Sequence, residues 1–440
     1  MTSVFHRHAK AHYPTAVKGD GCYLIDQNGK RYFDGSGGAA VSCLGHSHPH
    51  IIHTIQEQVA TLAFAHTSFF TNEPMEKLAS FLVSKAPQGL EHVYFVSGGS
   101  EAVEAAIKLS RQYFLEAGFP SKYRIIARRQ SYHGNTLGAL SAGGNLWRKT
   151  PFLPLLIECS HIAPCYEYRF REEGETEEAY GMRVANELEA EILKLGPETV
   201  AAFIAEPVVG ATMGCVGAVK GYLKRIREIC TQYNVLLILD EVMCGMGRTG
   251  TLFACEQDGV TADLLTIAKG LGAGYQPIGA LMVSDTIFKT IQSGTGFFQH
   301  GHTYMGHVLA CATALAVQQV IESDRLLDRV QSLGGQLKQA LQAQFENHPH
   351  IGDIRGRGLF LGLEFVQDRA SKTPFPSEKG VNVTLKKMAM QEGLMCYPMG
   401  GTIDGKMGDH VMLAPPFIME HAHIDEMVTK LARAVDLTLK

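Results

Sequence analysis

A lone lysine, Lys269, ends a short apolar run in LLTIAKGLGAGYQPIGA (264–280), just before a glycine-rich turn. A second apolar run, VLLILDEV (235–242), delivers Asp240 and Glu241. A lysine and a carboxylate launched from neighbouring strand ends of one sheet meet the needs of a pyridoxal-phosphate enzyme. The amine of Lys269 forms a Schiff base with the cofactor aldehyde, and the carboxylate of Asp240 keeps the pyridine nitrogen protonated so that the ring accepts electrons.

Other segments add candidates. FVSGGSEAVEAAIKLSRQYF (95–114) reads as strand, glycine turn and helix. Gly98 and Gly99 let the backbone approach a ligand there, while the free N–H groups of the helix start and the Ser100 hydroxyl suit a phosphate. The same pattern also describes a tight turn with nothing bound, in which Glu101 and Glu104 are ordinary first-turn acids. SYHGNTLGAL (131–140) puts Tyr132 and His133 at a strand-to-loop transition, where an aromatic ring either stacks on a flat cofactor or belongs to the core. IAEPVVG (204–210) ends an apolar run on Glu206 before a proline turn, a position shared by active-site rims and plain loops.

GMGRTG (245–250) matches the GxGxxG pattern of dinucleotide-binding turns and offers a competing reading, a nicotinamide-dependent oxidoreductase. Yet DEVMC separates the last strand residue, Leu239, from the first glycine, and TLFACEQDGV makes a poor crossover helix. The histidines of GHSHPHIIH (45–53) alternate in a proline-containing loop and do not point to one centre. Without HExxH or a cysteine at ligand spacing, no metal is expected.

These candidates need elements to hold them. HVYFV (92–96), RIIA (124–127), VAAFIA (200–205), VLLIL (235–239), DLLTIA (263–268) and IGALMV (278–283) are continuous apolar runs, as in strands covered on both faces of a mostly parallel sheet. Tyr222, Ile226, Ile229, Cys230 and Tyr233 recur at helical spacing and predict a crossover helix. Alternation of this kind implies a doubly wound α/β fold. The spacing predicts helix over about 305–346, strands at 356–366 and 410–418, and a terminal helix over 420–439. The charged stretch 171–183 reads as a solvated surface excursion.

The expected organisation is an N-terminal segment, 1–70, that joins a small α+β domain formed by 321–440, and a large domain over 71–320. The 440 residues are 45% hydrophobic, enough for a large core. Lys+Arg 40 against Asp+Glu 44 gives a net charge of −4 and no electrostatic footprint for nucleic acid. Ten cysteines without a CxxC pair read as reduced thiols. No run approaches the roughly 20 apolar residues that span a bilayer, and the start carries no apolar signal region. The expectation is a soluble, cytoplasmic protein.

Taken in order, GHSHP, SGGSEAVEAAIK, SYHG, AEPV, LDEVMCGMGRTG, AKGLGAGYQPIGA, GHTYMGH, RGRGLFLG and LAPPF resemble the class III, or omega-type, aminotransferases, pyridoxal-phosphate enzymes of fold type I. The resemblance covers nearly the whole chain. It implies that Lys269 carries the cofactor and that Asp240 bonds its ring nitrogen. Val242 is implied on one ring face and Tyr132 on the other, with His133 alongside. Gly99 and Ser100 match the phosphate-binding positions, and Glu206 matches a carboxylate near the ring hydroxyl. Thr303 matches a residue that reaches the phosphate of the neighbouring subunit, which implies a homodimer.

The implied reaction is a ping-pong transamination between an amine or ω-amino acid donor and an oxo acid, pyruvate or 2-oxoglutarate. An aminomutase or racemase of the same family is the alternative, since both use the lysine in the same way. A cofactor-free interaction protein ranks last. Many relatives carry an arginine shortly before the APP segment that grips a substrate carboxylate. Here Met412 stands two residues before Ala414, and 396–410 contains Lys406 but no arginine. Lys406, or a cation from another segment such as Arg148, is expected to substitute. Met243 and Met246 imply a soft, apolar wall.

Overall fold

Residues 2–440 are described by a computed structural model. Its largest sheet has seven strands in the order Leu90–Val96, Gly279–Ser284, Leu264–Ile267, Leu236–Asp240, Val200–Ala205, Arg124–Arg128 and Ser160–Ile162. Gly279–Ser284 runs antiparallel to both neighbours, and the other pairings are parallel. Val200–Ala205 and Leu236–Asp240 are buried along their whole length, as continuous apolar runs demand when helices cover both faces. The crossover helix Tyr222–Gln232 buries Tyr222, Leu223, Ile226, Ile229 and Cys230 on the sheet. No helix among the described residues is long and apolar enough to cross a membrane.

Two smaller sheets flank this one. Ala16–Asp20, Tyr23–Asp26 and Arg31–Asp34 form an antiparallel set, and Leu394–Met395 pairs in parallel with Arg31–Asp34. Ile351–Arg357, Phe360–Phe365, Asp409–Leu413 and Tyr397–Gly400 make an antiparallel sheet. The helix Val308–Ser323 joins the cores: Ala310, Cys311 and Ala314 pack with the large sheet, while Val317, Val320 and Ile321 pack with the C-terminal unit.

Several expectations need correction. The run 305–346 is two helices, Val308–Ser323 and Leu326–Phe345, because Arg325 adopts φ 52° and ends the ladder between them. The segment 356–366 holds the end of one strand, Ile351–Arg357, a turn and the second strand, Phe360–Phe365, of a hairpin whose first strand is too polar to read as strand. The strand in 410–418 stops at Leu413, since prolines 415 and 416 cannot continue it. The charged stretch 171–183 is mostly exposed, as expected, but its second half is helical rather than loop. The Thr176 side chain accepts a hydrogen bond from Ala179 N at 3.2 Å and starts the helix Glu177–Leu195, which buries Tyr180 and Gly181.

The glycine-rich 245–250 is a series of turns, followed by a short 3-10 helix, Ala254–Asp258. Its Arg248 is buried and donates to the carbonyls of Leu359, at 3.1 Å, and Pro415, at 2.6 Å. This segment ties the large sheet to the C-terminal unit.

A second tie is the fully buried Glu364. It accepts from Arg169 Nε at 2.8 Å, Arg355 Nη1 at 2.7 Å and the Tyr166 hydroxyl. Burial raises its carboxyl pKa, but Arg355 and Arg169 overcome this and hold it below the ordinary value. Removing one partner of such a network leaves buried charge uncompensated, so Glu364→Gln is expected to lower stability by about 3–5 kcal/mol, read from denaturant midpoints at neutral pH. Since the folded carboxyl titrates below the unfolded one, the contribution is complete above about pH 4.3 and fades at lower pH. The gap between variant and wild type should therefore narrow in acid.

Candidate active site

Asp240 is the last residue of Leu236–Asp240, and its register partner on the adjacent parallel strand is Thr266. Lys269 follows that second strand by two residues, so both groups leave the carboxyl edge of the sheet side by side, where open α/β sheets bind ligands. Lys269 has φ 45°, in the left-handed region. A non-glycine residue there stores about 1–3 kcal/mol of strain, held by the surrounding fold.

The Asp240 carboxylate is fixed on both oxygens. Oδ2 lies 2.7 Å from His133 Nδ1, while Oδ1 accepts from Val242 N at 3.1 Å and from the Thr266 hydroxyl at 3.2 Å. His133 therefore carries a proton on Nδ1. Its Nε2 is buried without a protein partner. Glu206, the first residue after Val200–Ala205, accepts from Tyr132 N at 3.0 Å and Gly210 N at 3.1 Å. Burial raises its pKa, opposed by His133 and reinforced by Asp240.

The helix Gly99–Glu116 points its N-terminus at the same place, and its first-turn N–H groups have no partners within the helix. A Cβ on Gly99 would lie 2.7 Å from Val242 Cγ1, so glycine is what lets this helix start approach. Ser100 Oγ accepts from Asn135 N at 3.1 Å and joins the helix start to the Tyr132–His133 loop.

One cavity of about 520 Å³ gathers these residues. Gly99 and Ser100 line one part, and Asp240, His133 and Glu206 another. Tyr132, Val242 and Lys269 complete the set expected from the sequence, apart from Thr303, which is exposed and does not line the cavity. Met243 is in the wall, whereas Met246 is buried beneath Gly270. Lys406 is exposed and outside the lining, but Arg148 is in it, its guanidinium 4.6 Å from the centre of the Tyr132 ring. Arg7, Val41 and Tyr397 also line the cavity. No local pattern marks them, because they arrive from distant segments.

The donor set fits pyridoxal 5′-phosphate. A helix start cleared by Gly99 suits the phosphate, an aromatic and a valine suit the ring faces, and an anchored buried carboxylate suits the ring nitrogen. A reactive amine completes it. Burial lowers the Lys269 pKa from 10.5 to about 8, against the opposing pull of Asp240 and Glu206. The neutral, nucleophilic amine is thus abundant from pH 8 upward. The rate at which cofactor-stripped protein captures added pyridoxal 5′-phosphate should rise with pH to a midpoint near 8, followed by absorbance. A midpoint near that of an ordinary lysine would show that burial is not the controlling effect.

Residues 4–435 match the aminotransferase class-III family. An uncharacterized aminotransferase of Schizosaccharomyces pombe is 47% identical over 427 residues, 97% of this chain and 93% of the relative. Gamma aminobutyrate transaminase 2 of Solanum lycopersicum is 39% identical, over 96% of this chain and 91% of its own. The omega transaminase from Pseudomonas jessenii, solved in complex with PMP, superposes with a TM-score of 0.93 at 33% identity, covering 100% of this chain and 96% of that one. The chain belongs to the class-III aminotransferases, with the fold type I architecture and the pyridoxal 5′-phosphate dependence of that family.

Proposed function

We propose that this aminotransferase moves an amino group from an amine or ω-amino acid to an oxo acid, pyruvate or 2-oxoglutarate, in two half-reactions served by the one amine of Lys269. The observation that carries this reading is the shared cavity of a Lys269 amine shifted to about 8 and an Asp240 carboxylate held by three donors. Similarity to a gamma aminobutyrate transaminase favours a donor whose amino group lies away from its carboxylate.

When bound, the cofactor supplies an aldehyde that exchanges amines and a ring that takes up the electron pair left when a substrate C–H bond breaks. Asp240 keeps a proton on the ring nitrogen, and His133 fixes the carboxylate for that task. Tyr132 and Val242 would flank the ring. Gly99 and Ser100 would hold the phosphate, and Glu206 would face the ring hydroxyl. Lys269 would hold the cofactor through its amine, and that amine, neutral when free, would move the proton of the substrate carbon. Thr303 completes the phosphate site of a neighbouring subunit, so the working unit is a homodimer. Ten free cysteines suit a reducing cytoplasm.

Arg148 takes the role of the missing arginine and holds the oxo-acid carboxylate. Its replacement by alanine should raise the Michaelis constant for the oxo acid about tenfold to a hundredfold while kcat changes little, as expected for a charge-assisted hydrogen bond used for binding. The central test is chemical. Borohydride reduction of the yellow holoenzyme should fix a cofactor-sized adduct on the peptide containing Lys269, and amino-group transfer from a donor panel to pyruvate or 2-oxoglutarate should be measurable. Asp240→Ala should lower kcat by about a hundredfold or more. An adduct on another lysine, or full turnover without Asp240, would overturn the assignment.

A further inference from the structure

The cavity holds two guanidinium groups, and the reaction described above uses only one. Arg148 comes from the short helix Leu146–Lys149, next to the Tyr132 ring. Arg7 comes from the segment before the first strand, is exposed, and lines the same cavity. Both act on the Tyr132 hydroxyl: burial raises its pKa, and Arg148, then Arg7 more weakly, pull it back.

Among the described residues, no carboxylate pairs with either guanidinium. The carboxylates in the lining are Glu206 and Asp240, and both already accept hydrogen bonds from Tyr132 N and Gly210 N, or from His133, Val242 N and Thr266. Arg148 Nε is buried with no partner at all. Both guanidinium groups line the one cavity, and a ligand that brings negative charge finds a matching partner in each. A monocarboxylate can satisfy one guanidinium. A dicarboxylate can satisfy both, through the planar, bidentate pairing for which arginine is suited.

We propose that Arg7 determines acceptor specificity: with Arg148 on the carboxylate beside the oxo carbon, Arg7 holds a second, distal carboxylate and selects dicarboxylic oxo acids over pyruvate. This rests on the transaminase reading and names the acceptor class within it. Arg7 lies in a segment without regular structure, so its replacement leaves the packed sheets untouched.

The test is the ratio of kcat/KM for 2-oxoglutarate to that for pyruvate, measured with one amine donor on holoenzyme. Arg7→Ala should lower this ratio about tenfold, the loss of one charge-assisted contact, and Arg7→Lys should restore part of it. Calorimetric titration with glutarate and with butyrate, which cannot react, supplies a second readout. Wild-type holoenzyme should bind glutarate more tightly, and Arg7→Ala should erase the difference. An unchanged ratio overturns the proposal. Equal losses for both oxo acids also overturn it, since Arg7 would then serve the carboxylate they share. If the wild type transfers no amino group, the transaminase reading fails, and the glutarate titration still decides whether Arg7 reads a second carboxylate.

Discussion

The site depends on keeping a lysine amine and an aspartate carboxylate in one enclosure without letting them neutralise each other. Left free, they would pair, and a paired lysine is a poor nucleophile. Asp240 is prevented from swinging by three donors, one of which, Thr266, belongs to the strand that leads to Lys269. Burial then outweighs the attraction of Asp240 and Glu206 and leaves the amine titrating near 8. The same low-dielectric surroundings that make charge expensive make the anchored carboxylate effective.

Packing enforces this placement. The left-handed backbone at Lys269 is a strained conformation that an isolated turn would not keep. Gly134, at φ 134°, lets the loop carrying His133 press on Ser100, where any Cβ would fall 2.7 Å from the serine oxygen. The C-terminal unit closes the arrangement from above. Gln130 donates to Gly401 O at 2.6 Å, His410 sits 3.1 Å from Ala211 O, and Tyr397 reaches the cavity. The cavity is therefore shared by the N-terminal segment, the large sheet and the C-terminal sheet.

Much of this was legible before the fold was known. The five inner strands of the large sheet are mostly buried and stand out as unbroken apolar runs, and the candidate groups sit at strand ends, where open α/β sheets bind ligands. Where the structure departs from the pattern, a specific force intervenes. Thr176 caps a helix within the solvated charged stretch, and Arg325 ends a helix that has no proline or glycine to announce it. Ile351–Arg357 became a strand through pairing with Phe360–Phe365, despite its polar residues.

Local chemistry in the chain determined the sheet, the lysine, its carboxylate and the glycine turn that opens the helix Gly99–Glu116, because each is written in consecutive residues whose periodicity or conformational demand is short-range. Tertiary structure decided which charges line the cavity. Lys406 lies near the expected position in sequence but is exposed and outside the lining, while Arg148 and Arg7, far apart in the chain, line one cavity. Electrostatic partnership is a matter of distance through space, and chain separation carries no record of it until the sheets have packed.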